Sequence, residues 1–354
     1  MSKGTVLFDN MNDINVIYQF NEKYAPYAGV SITSVLANNI DATVNVYVLG
    51  EGLSDGSMDL LCQTVSEYGG NICFPDTSAL LARFRSLGMI PYRGAYSVYL
   101  RLFFTELDEL SSLAGQRAIY LDSDTIVDNS LLPLAEYDLA GKSIGMVLES
   151  IRDDYKVMIG LSPTSDYYNS GVILFDVDRW RDNKYCEKLI DHITNVRSSY
   201  IGDQDFLNIV CEGDVCTLPL KYNFQPLHGR YSIKQYFGAY GNDGYYSAKE
   251  IEEAHGDTAI FHCYRWLGEF PWNRGNLHPF KEHFDKYLKK SLWKSGSKML
   301  IKENADLSFA LTMEKWLYRI LPRVVFIRIF KFMHELVLRH AENDARHQKA
   351  SDVS

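Results

Sequence analysis

Residues 117–134 read RAIYLDSDTIVDNSLLPL, and the break inside that stretch sets how the rest of the chain is read. An apolar run, Ala118 to Leu121, stops at two aspartates that flank one serine, Asp122 and Asp124. Upstream, INVIYQF (14–20), TVNVYVL (43–49) and NICF (71–74) are short runs rich in Val, Ile and aromatics, the composition of buried strands. Between the second and third, Met58, Leu61, Cys62, Val65 and Tyr68 recur at three- and four-residue steps. That spacing puts an apolar stripe on a helix, which Gly69 and Gly70 end. Strand, helix, strand in this rhythm predicts an α/β domain: a mostly parallel sheet flanked by helices, with RAIYL as a later strand. The aspartates then stand at that strand's carboxyl end, where open α/β sheets bind ligands.

Two carboxylates one residue apart in a turn place oxygens on one ion, and Mg²⁺ and Mn²⁺ take such hard ligands and share them with substrate phosphates. A turn in which an aspartate caps a backbone NH accounts for the triplet alone equally well. Farther on, SIGMVLE (143–149) and YYNSGVILFD (167–176) are strand-like, and Cys186, Leu189, Ile190, Ile193 and Val196 share one helix face. In GDQDFLN, Asp203, Gln204 and Asp205 precede apolar residues as helix-starting acids do, so a cap is one reading of that cluster.

With 354 residues, 46% of them hydrophobic, the chain has enough for one large domain and an appendage. Cysteines 62, 73, 186, 211, 216 and 263 show neither CxxC spacing nor the density of a disulfide scaffold, which predicts buried reduced thiols in a reducing compartment. The first twenty residues lack the basic and apolar regions of a secretory signal, so a cytoplasmic protein is expected. A net charge of −9 argues against nucleic acid as a partner.

RAIYLDSDTIVDNSLLPL followed by YYNSGVILFDVDRW, GDQDFLNIV, LPLKYNFQ and AIFHCYRWLGEFPW resembles the family 8 glycosyltransferases, a retaining group that includes bacterial lipopolysaccharide galactosyl- and glucosyltransferases and glycogenin. The resemblance spans about residues 14–280, and five motifs in order carry it. It implies a GT-A fold, Rossmann-like in its nucleotide half, that transfers a hexose from a UDP-sugar with Mn²⁺ or Mg²⁺ as cofactor. It makes Asp122, Asp124 and His262 the metal ligands, although a histidine after a strand is also a common core residue. It places Arg101 and Asn169 near the donor, together with Glu149 near the sugar hydroxyls. Asp203, Gln204 and Asp205 become the cluster beneath the anomeric carbon. Arg101 otherwise reads as a surface helix charge, and Asn169 as a turn former.

Two places depart from the family pattern. Relatives open with an aspartate pair and Asn before Tyr, whereas FNEKY gives Asn21, Glu22 and Lys23, so Asn21 and Lys23 are the donor candidates there. The family's phosphate lysine is missing from HCYRWLGEFPW, which is two residues longer, and Arg265 is its substitute.

The character changes near residue 297, which divides a catalytic domain (1–297) from a basic, aromatic C-terminal segment and polar tail (298–354). Between 315 and 340, six cations (Lys315, Arg319, Arg323, Arg328, Lys331, Arg339) face the single acid Glu335 and alternate with Trp316, Tyr318, Ile320, Phe326 and other apolar residues. Such a mixture fits a helical appendage at an anionic membrane surface, or one packed on the domain; its cations are too frequent for a membrane span. The expectation is therefore a hexosyltransferase acting on a glycan or glycolipid acceptor, peripheral on the inner face of the cytoplasmic membrane. The alternatives are a non-catalytic nucleotide-sugar or glycan-binding protein and a metal-dependent nucleotidyltransferase.

Overall fold

A computed structural model describes residues 13–89, 91, 94–195, 202–240, 245–294, 307–329 and 332. β1 (Asp13–Asn21) is apolar on both faces, as a central parallel strand must be; Ile14, Val16, Ile17 and Tyr18 are fully buried. β2 (Thr43–Glu51) and β3 (Asn71–Cys73) pair beside it in parallel. Asn71 donates to Asn45 and Asn45 to Asn15, an asparagine ladder between register partners that ties the three strands together.

The rest of the sheet holds β4 (Arg117–Leu121), β6 (Ile144–Leu148), β7 (Tyr168–Asp176) and β8 (Val215–Thr217), in the order β3-β2-β1-β4-β7-β6-β8. β4 is parallel to β1 but antiparallel to β7, and β6 is antiparallel to β7. The start of β7 therefore lies at the same edge as the ends of β1, β4 and β6. A separate pair, β5 (Thr125–Val127) with β9 (Ile260–His262), crosses that edge.

The helix expected after β2 is Asp55–Glu67, ended by Gly69 at φ +71°. Its buried residues are Ser57, Leu61, Thr64 and Val65, so the stripe is narrower than the spacing suggests, and Cys62 faces solvent. All six cysteines are free, but only Cys211 and Cys263 are buried, which corrects the expectation of buried thiols throughout.

The boundary near 297, residue Val196 and the polar end of the tail lie outside the described residues. Of the C-terminal segment, the helix Phe309–Ile320 packs Tyr318 among Tyr231, Tyr236, Trp266 and Leu267, so this part is docked on the domain. Pro322 separates it from a further helical turn at 323–329. Among the described residues no helix is long and apolar enough to cross a membrane.

Candidate active site

The sheet edge gathers what the sequence scatters. Asp122 follows β4, and its NH donates to the Gly171 carbonyl at 2.8 Å, which locks the turn against β7. Cys263 NH donates to the Asp124 carbonyl at 2.7 Å, and Thr125 pairs with His262, so β9 carries the imidazole to the aspartates. His262 Nε2 lies 3.6 Å from Asp122 Oδ2 and 3.4 Å from Asp124 Oδ1. One ligand atom from each of the three lies within 4.8 Å of the others. His262 is buried, and its other nitrogen, Nδ1, lies 2.9 Å from Asn223 Oδ1. Burial favours the neutral ring, but Asp124 and then Asp122 outweigh it and hold the imidazole above its ordinary pKa.

Arg101, near the end of the short 3-10 helix Ser97–Leu102, is buried rather than a surface charge. Its guanidinium donates to Asp122 Oδ1 (3.1 Å), to the Ser170 carbonyl (2.8 Å) and to Ser170 Oγ (2.9 Å), and it pairs with Asp203. It also lies 4.5 Å from the Tyr120 ring centre, and the Tyr120 hydroxyl donates to Asp122 at 2.6 Å. Burial lifts the Asp203 carboxyl to about 6 against the pull of Arg101, which leaves it ionised at neutral pH.

The helix Asp203–Val210 has Gly202 at its N-cap, and no side chain closes the cap, so the capping reading of GDQD does not hold. Asp203, Gln204 and Asp205 are instead buried. Gln204 Oε1 accepts from the Ser170 NH at 3.1 Å, and its Nε2 donates to the Tyr167 hydroxyl at 3.2 Å. Asp205 accepts from the Tyr155 hydroxyl and from the Tyr167 hydroxyl at 2.6 Å; its geometry is that of a group that positions the helix.

Glu149, at the end of β6, accepts from Asn169 at 2.6 Å and from Gln225 at 3.2 Å. Burial raises its carboxyl above the ordinary range in spite of those bonds. Asn169 Oδ1 accepts from Gly171 NH and from Asn223, so its amide is held on both sides. Asn21 ends β1 with a buried Oδ1 that has no hydrogen-bond partner among the described residues. Glu22 instead accepts from Ser54 and Ser57 and fastens the start of the helix Asp55–Glu67. Lys23 is exposed beside Asn21, and Arg265 is exposed with its guanidinium 5.3 Å from the Phe270 ring centre.

Sequence reading missed Asn223 and Gln225. Both belong to the LPLKYNFQ motif, and the signal was there: two polar residues at two-residue spacing flank Phe224.

The α/β sheet thus brings two aspartates and a histidine to its carboxyl edge, beside a buried arginine–aspartate pair, a donor set that could hold a divalent cation. A solved structure, the galactosyltransferase LgtC in complex with donor and acceptor sugar analogs, superposes with a TM-score of 0.65 over 79% of this chain and 96% of its own, at 23% identity; this likeness establishes the fold. Residues 15–275 match the family described as Glycosyl transferase family 8, and the chain belongs to that family. Among curated relatives, a lipopolysaccharide 1,2-glucosyltransferase of Escherichia coli K12 is 26% identical over 80% of each chain. General stress protein A of Bacillus subtilis is 23% identical over 79% of this chain and 94% of its own. Family membership displaces the nucleotidyltransferase reading.

Proposed function

We propose that this glycosyltransferase moves galactose or glucose from a UDP-sugar, with retention, to a hydroxyl of a bacterial surface glycan or its lipid-linked precursor. The convergence of Asp122, Asp124 and His262 at the sheet edge carries the reading. The donor set suits a divalent cation: the site holds Asp122, Asp124, Asp203 and Glu149 against one guanidinium, and an imidazole ligand favours Mn²⁺ over Mg²⁺. Such a cation, held by Asp122, Asp124 and His262, would neutralise the donor diphosphate. The E. coli relative's name and the sugar analogs bound to LgtC support the substrate class.

Asn21, with its free buried oxygen, is assigned to the uracil edge, and Lys23 stands beside it. Arg101 fixes Asp122 and Asp203 relative to one another. Glu149, held by Asn169 and Gln225, is assigned to the sugar hydroxyls. Gln204 is a poor nucleophile, so transfer on one face of the sugar is the step its placement supports. The bond from the anomeric carbon to the phosphate oxygen breaks, and the acceptor oxygen bonds to that carbon. The acceptor's proton goes to the departing phosphate, while Asp203 and Gln204 stabilise the developing positive charge. Arg265, an exposed cation three residues after His262, is assigned to phosphate. The exposed apolar side of the C-terminal helix is assigned to the inner face of the membrane.

Calorimetry with UDP tests the site: binding is expected with Mn²⁺ and is expected to be lost on chelation or in Asp124→Ala. Equal affinity with and without the metal would exclude the reading. Gln204→Ala is expected to slow UDP release from UDP-hexose far more than it weakens UDP binding.

A further inference from the structure

His262 is useful as a ligand only if Nε2 carries a lone pair, and the chain of amides behind it settles which nitrogen holds the proton. The settling begins at Gly171, whose backbone NH can only donate and does so to Asn169 Oδ1 at 2.9 Å. That bond fixes the Asn169 amide, so Nδ2 is the group that meets Glu149 Oε2 at 2.6 Å. The same Asn169 oxygen accepts from Asn223 Nδ2 at 2.8 Å, which fixes the second amide with its oxygen turned toward His262. Asn223 Oδ1 stands 2.9 Å from His262 Nδ1, and an amide oxygen can only accept, so Nδ1 is the protonated nitrogen.

Asn223 is held where this requires. Phe224 NH donates to the Ile260 carbonyl at 2.8 Å, and His262 NH donates to the Phe224 carbonyl at 3.0 Å, so the segment runs alongside β9. With Phe224 turned into the core, Asn223 and Gln225 fall on one side, toward His262 and Glu149 respectively. Asn223 is completely buried, and each of its two amide atoms has a specific partner.

We propose that Asn223 is a positioning residue for the metal centre: it holds His262 as the Nδ1–H tautomer and aims Nε2 into the space between Asp122 and Asp124. The same relay links the metal ligand to Glu149, so the cation and the sugar-facing acid share one rigid support. This rests on the metal reading above. A hydrogen-bond acceptor on the remote nitrogen of a ligating imidazole orients the ring and strengthens it as a ligand, and its loss typically costs about 10- to 100-fold in metal affinity.

The test is Mn²⁺ binding to the full-length protein without substrate, read from the electron paramagnetic resonance of free Mn²⁺, with Mg²⁺ as competitor. Asn223→Ala is expected to weaken Mn²⁺ binding about 10- to 100-fold while Mg²⁺, which depends on the carboxylates, weakens much less. Asn223→Asp, which keeps an acceptor for Nδ1–H, is expected to recover most of the Mn²⁺ affinity. Spin-echo spectra of bound Mn²⁺ should show an imidazole nitrogen in the wild type and Asn223→Asp, and a diminished coupling in Asn223→Ala. Wild-type Mn²⁺ affinity in Asn223→Ala, or equal loss of Mn²⁺ and Mg²⁺, overturns the proposal. If Asn223→Ala does not fold, a folded Asn223→Asp that binds Mn²⁺ no better than His262→Ala overturns it as well. A wild type that binds no Mn²⁺ removes the metal reading itself, which separates that failure from this one.

Discussion

Gly171 has only hydrogen for a side chain at the point where His262 needs room. A Cβ there would stand 2.1 Å from Cε1 and 2.5 Å from Nδ1 of the ring. The backbone has no freedom to withdraw, because its carbonyl accepts from Asp122 and its NH donates to Asn169. Gly171→Ala must therefore push the imidazole aside. We expect at least about a tenfold loss of Mn²⁺ affinity by calorimetry, of the order seen when a ligand's support is removed, and a stability loss of about 1–3 kcal/mol from overpacking. Undiminished Mn²⁺ binding in a folded Gly171→Ala would show that the ring does not occupy this position. The serine next to it is as exacting: Ser170 accepts from Arg101 through both its carbonyl and its hydroxyl, so three consecutive residues, Asn169 to Gly171, support the acid, the guanidinium and the imidazole.

β5 and β9 are short strands, and their placement depends on a clasp at Asp128, just beyond β5. Its NH donates to the Ala259 carbonyl at 2.9 Å, and its carboxylate accepts from His283 (2.9 Å), Lys286 and Tyr287 of the helix Lys281–Leu288. Burial raises the Asp128 carboxyl, but the bonds from His283, Lys286 and Tyr287 outweigh it and hold the pKa well below the ordinary value. A depressed carboxyl pKa contributes stability that is complete above the unfolded value, about 4, and is lost as pH falls through the folded one. Asp128→Asn should therefore lower stability by about 1–2 kcal/mol at pH 7, since the carboxylate is mostly covered while Lys286 is half exposed. The deficit should shrink below about pH 4, where the wild type begins to lose the same contribution. Melting curves of both proteins between pH 3 and 7 measure it; a deficit that does not change with pH would mean that Asp128 acts through packing rather than charge.

The C-terminal helix gives the molecule two apolar sides. One is covered: Tyr318 packs edge-on against Trp266, and Lys315 pairs with Glu269, a carboxylate only 2% exposed. Glu269 belongs to the lengthened HCYRWLGEFPW segment, where a tight turn exchanges backbone hydrogen bonds between Trp266 and Glu269. The departure from the family pattern there is thus an anchor for the tail. The other side leaves Phe309, Met313, Trp316 and Ile320 exposed at three- and four-residue spacing, with Val324 beyond. Stopping the chain after residue 306 should cost about 3–5 kcal/mol, because it strands a buried carboxylate and uncovers Trp266 and Tyr231. Trp316→Glu with Ile320→Glu should leave the melting temperature nearly unchanged and abolish sedimentation with anionic vesicles. Wild-type protein that ignores such vesicles would end the membrane assignment and leave the helix as a packing element.

Strands β1, β2, β3, β4, β6 and β7, the helix between β2 and β3 and the aspartates at the end of β4 were legible in the sequence, because they depend on local signals. Continuous apolar runs must be buried, three- and four-residue spacing makes a stripe, and an abrupt stop at paired acids marks a strand's end. The family resemblance pointed to His262, Arg101 and the GDQD cluster. Tertiary structure alone decided how these groups are supported. Asn223 is 39 residues from His262 and 54 from Asn169, so its local sequence does not say which groups its amide meets. Arg101 reads as a surface charge until β4, β7 and the helix at Asp203 surround it with acceptors. Glu269, buried in its loop, finds its partner in Lys315, 46 residues away. The physical reason is common to all three: a polar side chain is buried only where partners from other elements satisfy it, and those partners are set by how the elements pack.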